Sequence, residues 1–150
     1  MNLASLELNY WELVSGETQH AQNPDTFLVP ERDRRENLKR GDAAKLLFAI
    51  ESEDEDTGAI IVGRERMWVI VAERVGDIYV GVLDNEPAAI EPDTGYLAPG
   101  AEVPFKAEHV IDIDKPPDEY VERQLTQPRK RRWPRDPMYA HTITDRKSVV

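Results

Sequence analysis

The sequence predicts an α+β domain: a small, strongly bent antiparallel β-sheet or partial barrel with short flanking helices and a polar C-terminal tail. Three observations carry this prediction. Residues 64–87 contain two β-branched, aromatic-rich runs joined by Gly76-Asp77, a pair suited to a two-residue hairpin turn. Five or so short apolar runs fall between residues 43 and 113, interrupted by turn residues too often for long helices. The chain has 150 residues, enough for one domain with a sizeable core and hardly for two. The expected division is a single domain over residues 1–114, with its β core at 43–113, and an extension over 115–150 that is partly disordered.

Taken in order, residues 3–14 fit helical spacing through Leu3, Leu6, Tyr10, Leu13 and Val14, and fit alternation through Leu6, Leu8 and Tyr10. A short helix is the assignment. Residues 15–24 are polar, carry Gly16, Asn23 and Pro24, and read as a loop. The run 26–29 is apolar and closed by Pro30, which suggests an anchoring strand. Residues 31–40 alternate in charge around Leu38 and describe an exposed turn or short helix.

Residues 43–50 form the first clear strand, and an acidic run at 51–56 follows as a hairpin tip. The central ribbon comes next. With Gly76 and Asp77 as its loop, Val75 faces Ile78, Arg74 faces Tyr79, Ala72 faces Gly81, Val71 faces Val82, Ile70 faces Leu83 and Trp68 faces Asn85. Both faces of the ribbon are largely apolar, so it belongs at the centre of a larger sheet. Residues 88–100 are punctuated by Pro92, Gly95, Pro99 and Gly100 and form a loop. Residues 101–106 contain Pro104, which cannot donate to a ladder, so this strand lies at an edge. Residues 108–113 alternate and give a last strand. In the extension, residues 118–125 make two helical turns with Tyr120, Val121 and Leu125 facing the body.

The net charge is −10 and the pI about 4.8. Such a surface repels phosphate backbones and anionic membranes and favours a basic partner. There is no cysteine, which excludes disulfides, thiolate metal sites and a cysteine nucleophile. No apolar run reaches the length of a membrane span, and the N-terminus lacks the features of a signal peptide. The expectation is a soluble cytoplasmic protein with no membrane association.

Several residue groups are candidates for chemistry. The basic run Arg129, Lys130, Arg131 and Arg132, with Arg135 nearby and Trp133 inside it, has the residue types that neutralise phosphates and stack on a base. The acidic net charge favours instead a solvated run, or one paired with the acidic run of the same molecule. The acidic run fails as a calcium loop: with Gly58 at loop position 6, Arg64 falls where a bidentate glutamate is required. His109 with Glu108, Asp112 and Asp114 is the best acid–base or metal-type cluster. On a strand, however, the carboxylates share one face and the histidine points to the other. His20 and His141 lack ligand spacing, and neither a nucleophile elbow nor a phosphate loop is present. Trp68, Asn85 and Tyr96 either complete the core or line a shallow groove for a partner.

Taken together, residues 41–48, residues 65–69 with their Met67-Trp68-Val69 strand, residues 79–87 with Gly81-Val82-Leu83-Asp84-Asn85-Glu86-Pro87, residues 100–105 and the Val110-Ile111-Asp112-Ile113 strand resemble a group of small bacterial domains of unknown function. Some members of that group are regarded as immunity proteins that neutralise toxins in bacterial competition. The resemblance covers about residues 25–113. It implies a bent antiparallel sheet with no cofactor and supplies no catalytic residues. Pro104 and the extension depart from its pattern.

The resulting functional expectation is a non-enzymatic acidic binding protein, an immunity or accessory factor that masks a basic protein partner. Its contacts are expected at Glu51, Asp54, Asp56, Glu86 and Glu91, with Trp68, Asn85 and Tyr96. The alternatives are a small metal-assisted hydrolase using carboxylates such as Glu108 and Asp112, and nucleic-acid binding through Arg129 to Arg135.

Overall fold

A computed structural model describes residues 1–88 and 95–135. Within them, four short helices flank six strands. These are α1 (Leu6–Asn9), β1 (Trp11–Leu13), α2 (Gly16–Gln22), α3 (Arg32–Glu36), β2 (Ala43–Glu53), β3 (Ile60–Val75), β4 (Ile78–Leu83), β5 (Glu102–Phe105), β6 (Val110–Asp114) and α4 (Asp118–Leu125). All strand pairs are antiparallel, in the order β1-β2-β3-β4-β5. The outer edge of β2 is shared: β6 pairs with its first residues, from Ala43 to Leu46, and β1 with Phe48 to Ile50. The sheet curls into a half-barrel, so the α+β, partial-barrel prediction holds.

Alternation along the strands builds the core. Ala44, Leu46, Phe48 and Ile50 of β2 point to the same side as Met67, Val69 and Val71 of β3, and Tyr79, Leu83, Val103 and Phe105 complete the layer. Trp11 and Trp133 close it, and Tyr96 packs against it. On the other face, Ile70 and Val82 are covered by Val121 and Leu125 of α4, the helix and the face expected. No helix among the described residues is long and apolar enough to cross a membrane.

Five local expectations are corrected. The helix assigned to residues 3–14 is confined to Leu6–Asn9, and Trp11–Leu13 form β1 instead. The ribbon begins as predicted, with Val75 opposite Ile78 and Arg74 opposite Tyr79. A bulge at Ala72 then shifts the register by one, so that Val71 meets Gly81, Ile70 meets Val82 and Val69 meets Leu83. The extra residue increases local twist and bend, which suits a sheet that curls. Residues 15–24 are not a loop. Ser15 accepts the Thr18 N–H at 3.2 Å and starts α2. Residues 26–29 form no strand, and Phe27 instead lies against Arg66 of β3. The last strand begins only at Val110, after a 3₁₀ turn over Ala107–His109.

The β5 strand is the sheet edge, as Pro104 required, but its far side is covered. Arg131 bridges Ala101 in parallel, the Glu102 N–H donates to the Arg131 carbonyl at 3.0 Å, and the Lys130 N–H to that of Gly100 at 3.0 Å. Thus residues 118–135 of the extension pack on the body. Residues 136–150 lie outside the described part.

Candidate functional site

The β2–β3 hairpin is longer than the sheet that holds it. The Glu51 N–H donates to the Tyr10 carbonyl at 2.9 Å, the last contact with the segment before β1. Beyond it, among the described residues, Ser52 pairs with Ile61 and Glu53 with Ile60, and neither strand has a third neighbour. A two-stranded arm therefore leaves the body. Ile60, Ile61 and Val62 are 62%, 49% and 54% exposed on it. In the strand register, Val62 sits beside Glu51 and Ile60 beside Glu53 on one face, with Ile61 beside Ser52 on the other.

The arm has an ordered tip. Asp54 Oδ1 accepts the N–H groups of Asp56 and Thr57 at 2.9 and 3.0 Å, and these bonds hold its carboxyl below the ordinary carboxylate range. Gly58 adopts φ +72°, and its N–H donates to the Asp54 carbonyl at 2.8 Å. The arm thus presents five carboxylates, at 51 and 53–56, beside three exposed aliphatic side chains. Of the other acidic candidates, Glu86 is exposed in the loop after β4, which returns to β3 where the Ala88 N–H meets Glu65 Oε2 at 3.1 Å. Glu91 lies outside the described residues.

Trp68 and Asn85 do come together: the Trp68 backbone N–H donates to Asn85 Oδ1 at 2.6 Å. Tyr96 does not join them. It stacks on Trp11 at 5.9 Å and meets Trp133 edge-on at 5.5 Å on the core side, and its hydroxyl donates to the Glu102 carbonyl at 2.7 Å. Trp68 is on the opposite face of β3, beneath Lys45 Nζ at 5.1 Å. The three residues therefore line no common groove.

The basic run is bound into the fold. Trp133 is 8% exposed, its indole N–H donates to the Asn2 carbonyl at 2.8 Å, and its ring meets Trp11 edge-on. Arg135 places Nη1 and Nη2 each 2.8 Å from the two carboxylate oxygens of Glu102, a forked pair, and also bonds Glu73. Arg129 Nε lies 3.6 Å from the same Glu102. Burial raises the affinity of the Glu102 carboxyl for a proton. The Arg135 bonds, the Trp133 N–H and the charges of Arg135 and Arg129 outweigh this and leave its pKa lowered. Arg129 and Arg135 thus pair with Glu102 and Glu73, not with the acidic run at 51–56. Arg131 and Arg132 remain at the surface, where Arg132 borders a cavity with Tyr96 and Trp133.

His109 is also structural. It is 4% exposed, and its Nδ1 accepts the Lys106 N–H at 2.9 Å, which leaves the proton on Nε2, 3.3 Å from Glu108 Oε1. Burial, with the Lys106 charge, lowers its pKa to about 4 despite the opposing Glu17 charge. The ring is therefore neutral at pH 7. Asp112 and Asp114 are engaged by the N–H groups of Ile113 and Lys115. Among the described residues, no three His, Asp or Glu side chains converge as a metal ion would require.

Two features escaped sequence reasoning. Arg35, in a stretch that reads as exposed, is 5% exposed and bonds Glu17 Oε2 at 2.6 Å, the Pro30 carbonyl at 2.7 Å and the Ala107 carbonyl at 2.9 Å. Its hydrogen bond, reinforced by its charge, holds Glu17 below the ordinary carboxylate range. The second is a cationic cavity on the outer face of the sheet, walled by the loop at 26–30.

Compared with family models, with curated proteins and with solved structures, the chain matches none.

Proposed function

We propose that this chain is a protein-binding module that engages a basic partner through the β2–β3 arm. The observation that supports the reading most directly is the exposure of Ile60, Ile61 and Val62 on an arm whose neighbouring positions carry Glu51 and Glu53. Aliphatic side chains held in water on a two-stranded arm add nothing to the core, and exposed apolar groups rimmed by charge are characteristic of contact surfaces. The carboxylates steer a cationic surface and set the register, while the aliphatic residues supply the desolvated contact. The net charge of −10 adds to this steering within a Debye length of about 8 Å at physiological salt.

In this reading the partner is a basic protein and the chain masks it, as an immunity or accessory factor would. The charged part of the contact is tested by capture from the native lysate with the wild-type chain and with a Glu51→Lys, Asp54→Lys, Asp56→Lys variant, at low and moderate salt. A basic protein held by the wild type and released by the variant is the expected result. Equal retention by both contradicts the charge-steered contact.

A further inference from the structure

We infer that the cavity on the outer face of the sheet binds a small organic anion: an anionic headgroup on a compact apolar body. The cavity measures about 440 Å³, within the range of small-molecule sites. It is lined by three cations, Lys45 of β2, Arg66 of β3 and Arg34 of α3, and by the apolar side chains of Phe27, Val29 and Ile111. Strand alternation brings the two strand cations together, because Lys45 and Arg66 project from the same outward face.

These cations are not engaged in ion pairs. Arg32, Arg35, Arg129 and Arg135 each reach a carboxylate within 4 Å, whereas among the described residues no ion pair forms at Arg34, Lys45 or Arg66. Arg66 instead lies 5.2 Å from the Phe27 ring centroid and Lys45 5.1 Å from that of Trp68. Ring faces orient a cation without neutralising it. The one carboxylate in the lining, Asp112, is the strand partner of Lys45, yet its Oδ1 accepts the Ile113 N–H at 2.8 Å and no ion pair with Lys45 forms. In a chain with a net charge of −10, three cations that form no ion pair, set against the single carboxylate of Asp112, give this concave, partly apolar surface a local excess of positive charge suited to an anion. Phosphate monoesters and carboxylates both fit the head position. The site is independent of the partner-binding arm.

The test is an NMR titration of the full chain with phenyl phosphate, benzoate and inorganic phosphate. The expected result is saturable shifts at the Phe27, Lys45, Arg66 and Ile111 amides with at least one organic probe, the better probe identifying the headgroup. Inorganic phosphate should bind at least about tenfold more weakly, since it gains nothing from the apolar wall. An Arg34→Gln, Arg66→Gln variant changes two exposed side chains and should weaken binding at least about tenfold through lost charge-assisted bonds. Absence of saturable shifts with either organic probe overturns the inference. So does inorganic phosphate binding as tightly as the organic probes, or unchanged affinity in the variant.

Discussion

His109 shows how a residue type that suggests chemistry is turned to structure. Its acceptor nitrogen closes the turn before β6, and the ring stays neutral because protonation would bury a charge and place it beside Lys106. An unfolded histidine titrates near 6.5 and this one at about 4, so between those values the unfolded chain holds a proton that the native chain does not. The stability from this group is complete above about pH 6.5, declines as the pH falls, and levels off below about 4, a loss on the order of 3 kcal/mol. Glu17 and Glu102, with lowered pKa values, lose their contributions only below the ordinary range of a glutamic acid, so the upper part of the decline belongs to His109. An asparagine can still accept the Lys106 N–H. His109→Asn is therefore expected to flatten urea-unfolding stability between pH 6.5 and 5; an unchanged slope contradicts the assignment. The engagement of Arg35 and Glu102 was not legible in the sequence. Arg35 meets Ala107 across 72 residues and Glu102 meets Arg135 across 33, and no local pattern encodes such partners.

At the scale of elements, hydrophobic alternation made β2, β3, β4 and α4 readable, because their apolar positions repeat with the period of the structure they adopt. Bulge and loop chemistry was not readable in the same way. Next to the shift at Ala72, a Cβ on Gly81 would stand 2.6 Å from Val69 Cγ2, so the small residue lets β3 and β4 close on the core. The basic run also looked separable, since composition reports charge and not destination. It carries Trp133 into the core and supplies both guanidinium groups around Glu102. Ending the chain after Leu125 removes a buried tryptophan and leaves a buried carboxylate unpaired, each a loss of about 3–5 kcal/mol taken alone and not strictly additive. The shortened chain is expected to lose at least about 4 kcal/mol in urea unfolding or to fail to fold. Unfolding at the same urea midpoint as the full chain would show that the extension is merely attached.

Over the whole molecule, charge is sorted by place. Arginines of the extension neutralise Glu102 at the sheet edge, Arg34, Lys45 and Arg66 gather on the outer face, and carboxylates concentrate along the arm. The acidic arm was legible as a hairpin tip, whereas the exposure of its aliphatic strand was not. Residues 59–62 read in sequence as the start of a strand that continues into the central ribbon, and the exposure follows because, among the described residues, no third strand lies beside it. In the proposed function, those three side chains serve a surface outside the chain. The deciding measurement is partner capture by an Ile60→Thr, Ile61→Thr, Val62→Thr variant beside the wild type, with thermal unfolding of both. Threonine keeps β-branching, so stability is expected to stay within about 1 kcal/mol while retention of the basic partner falls at least about tenfold. Undiminished retention by a folded variant, or a collapse of stability, would contradict the account.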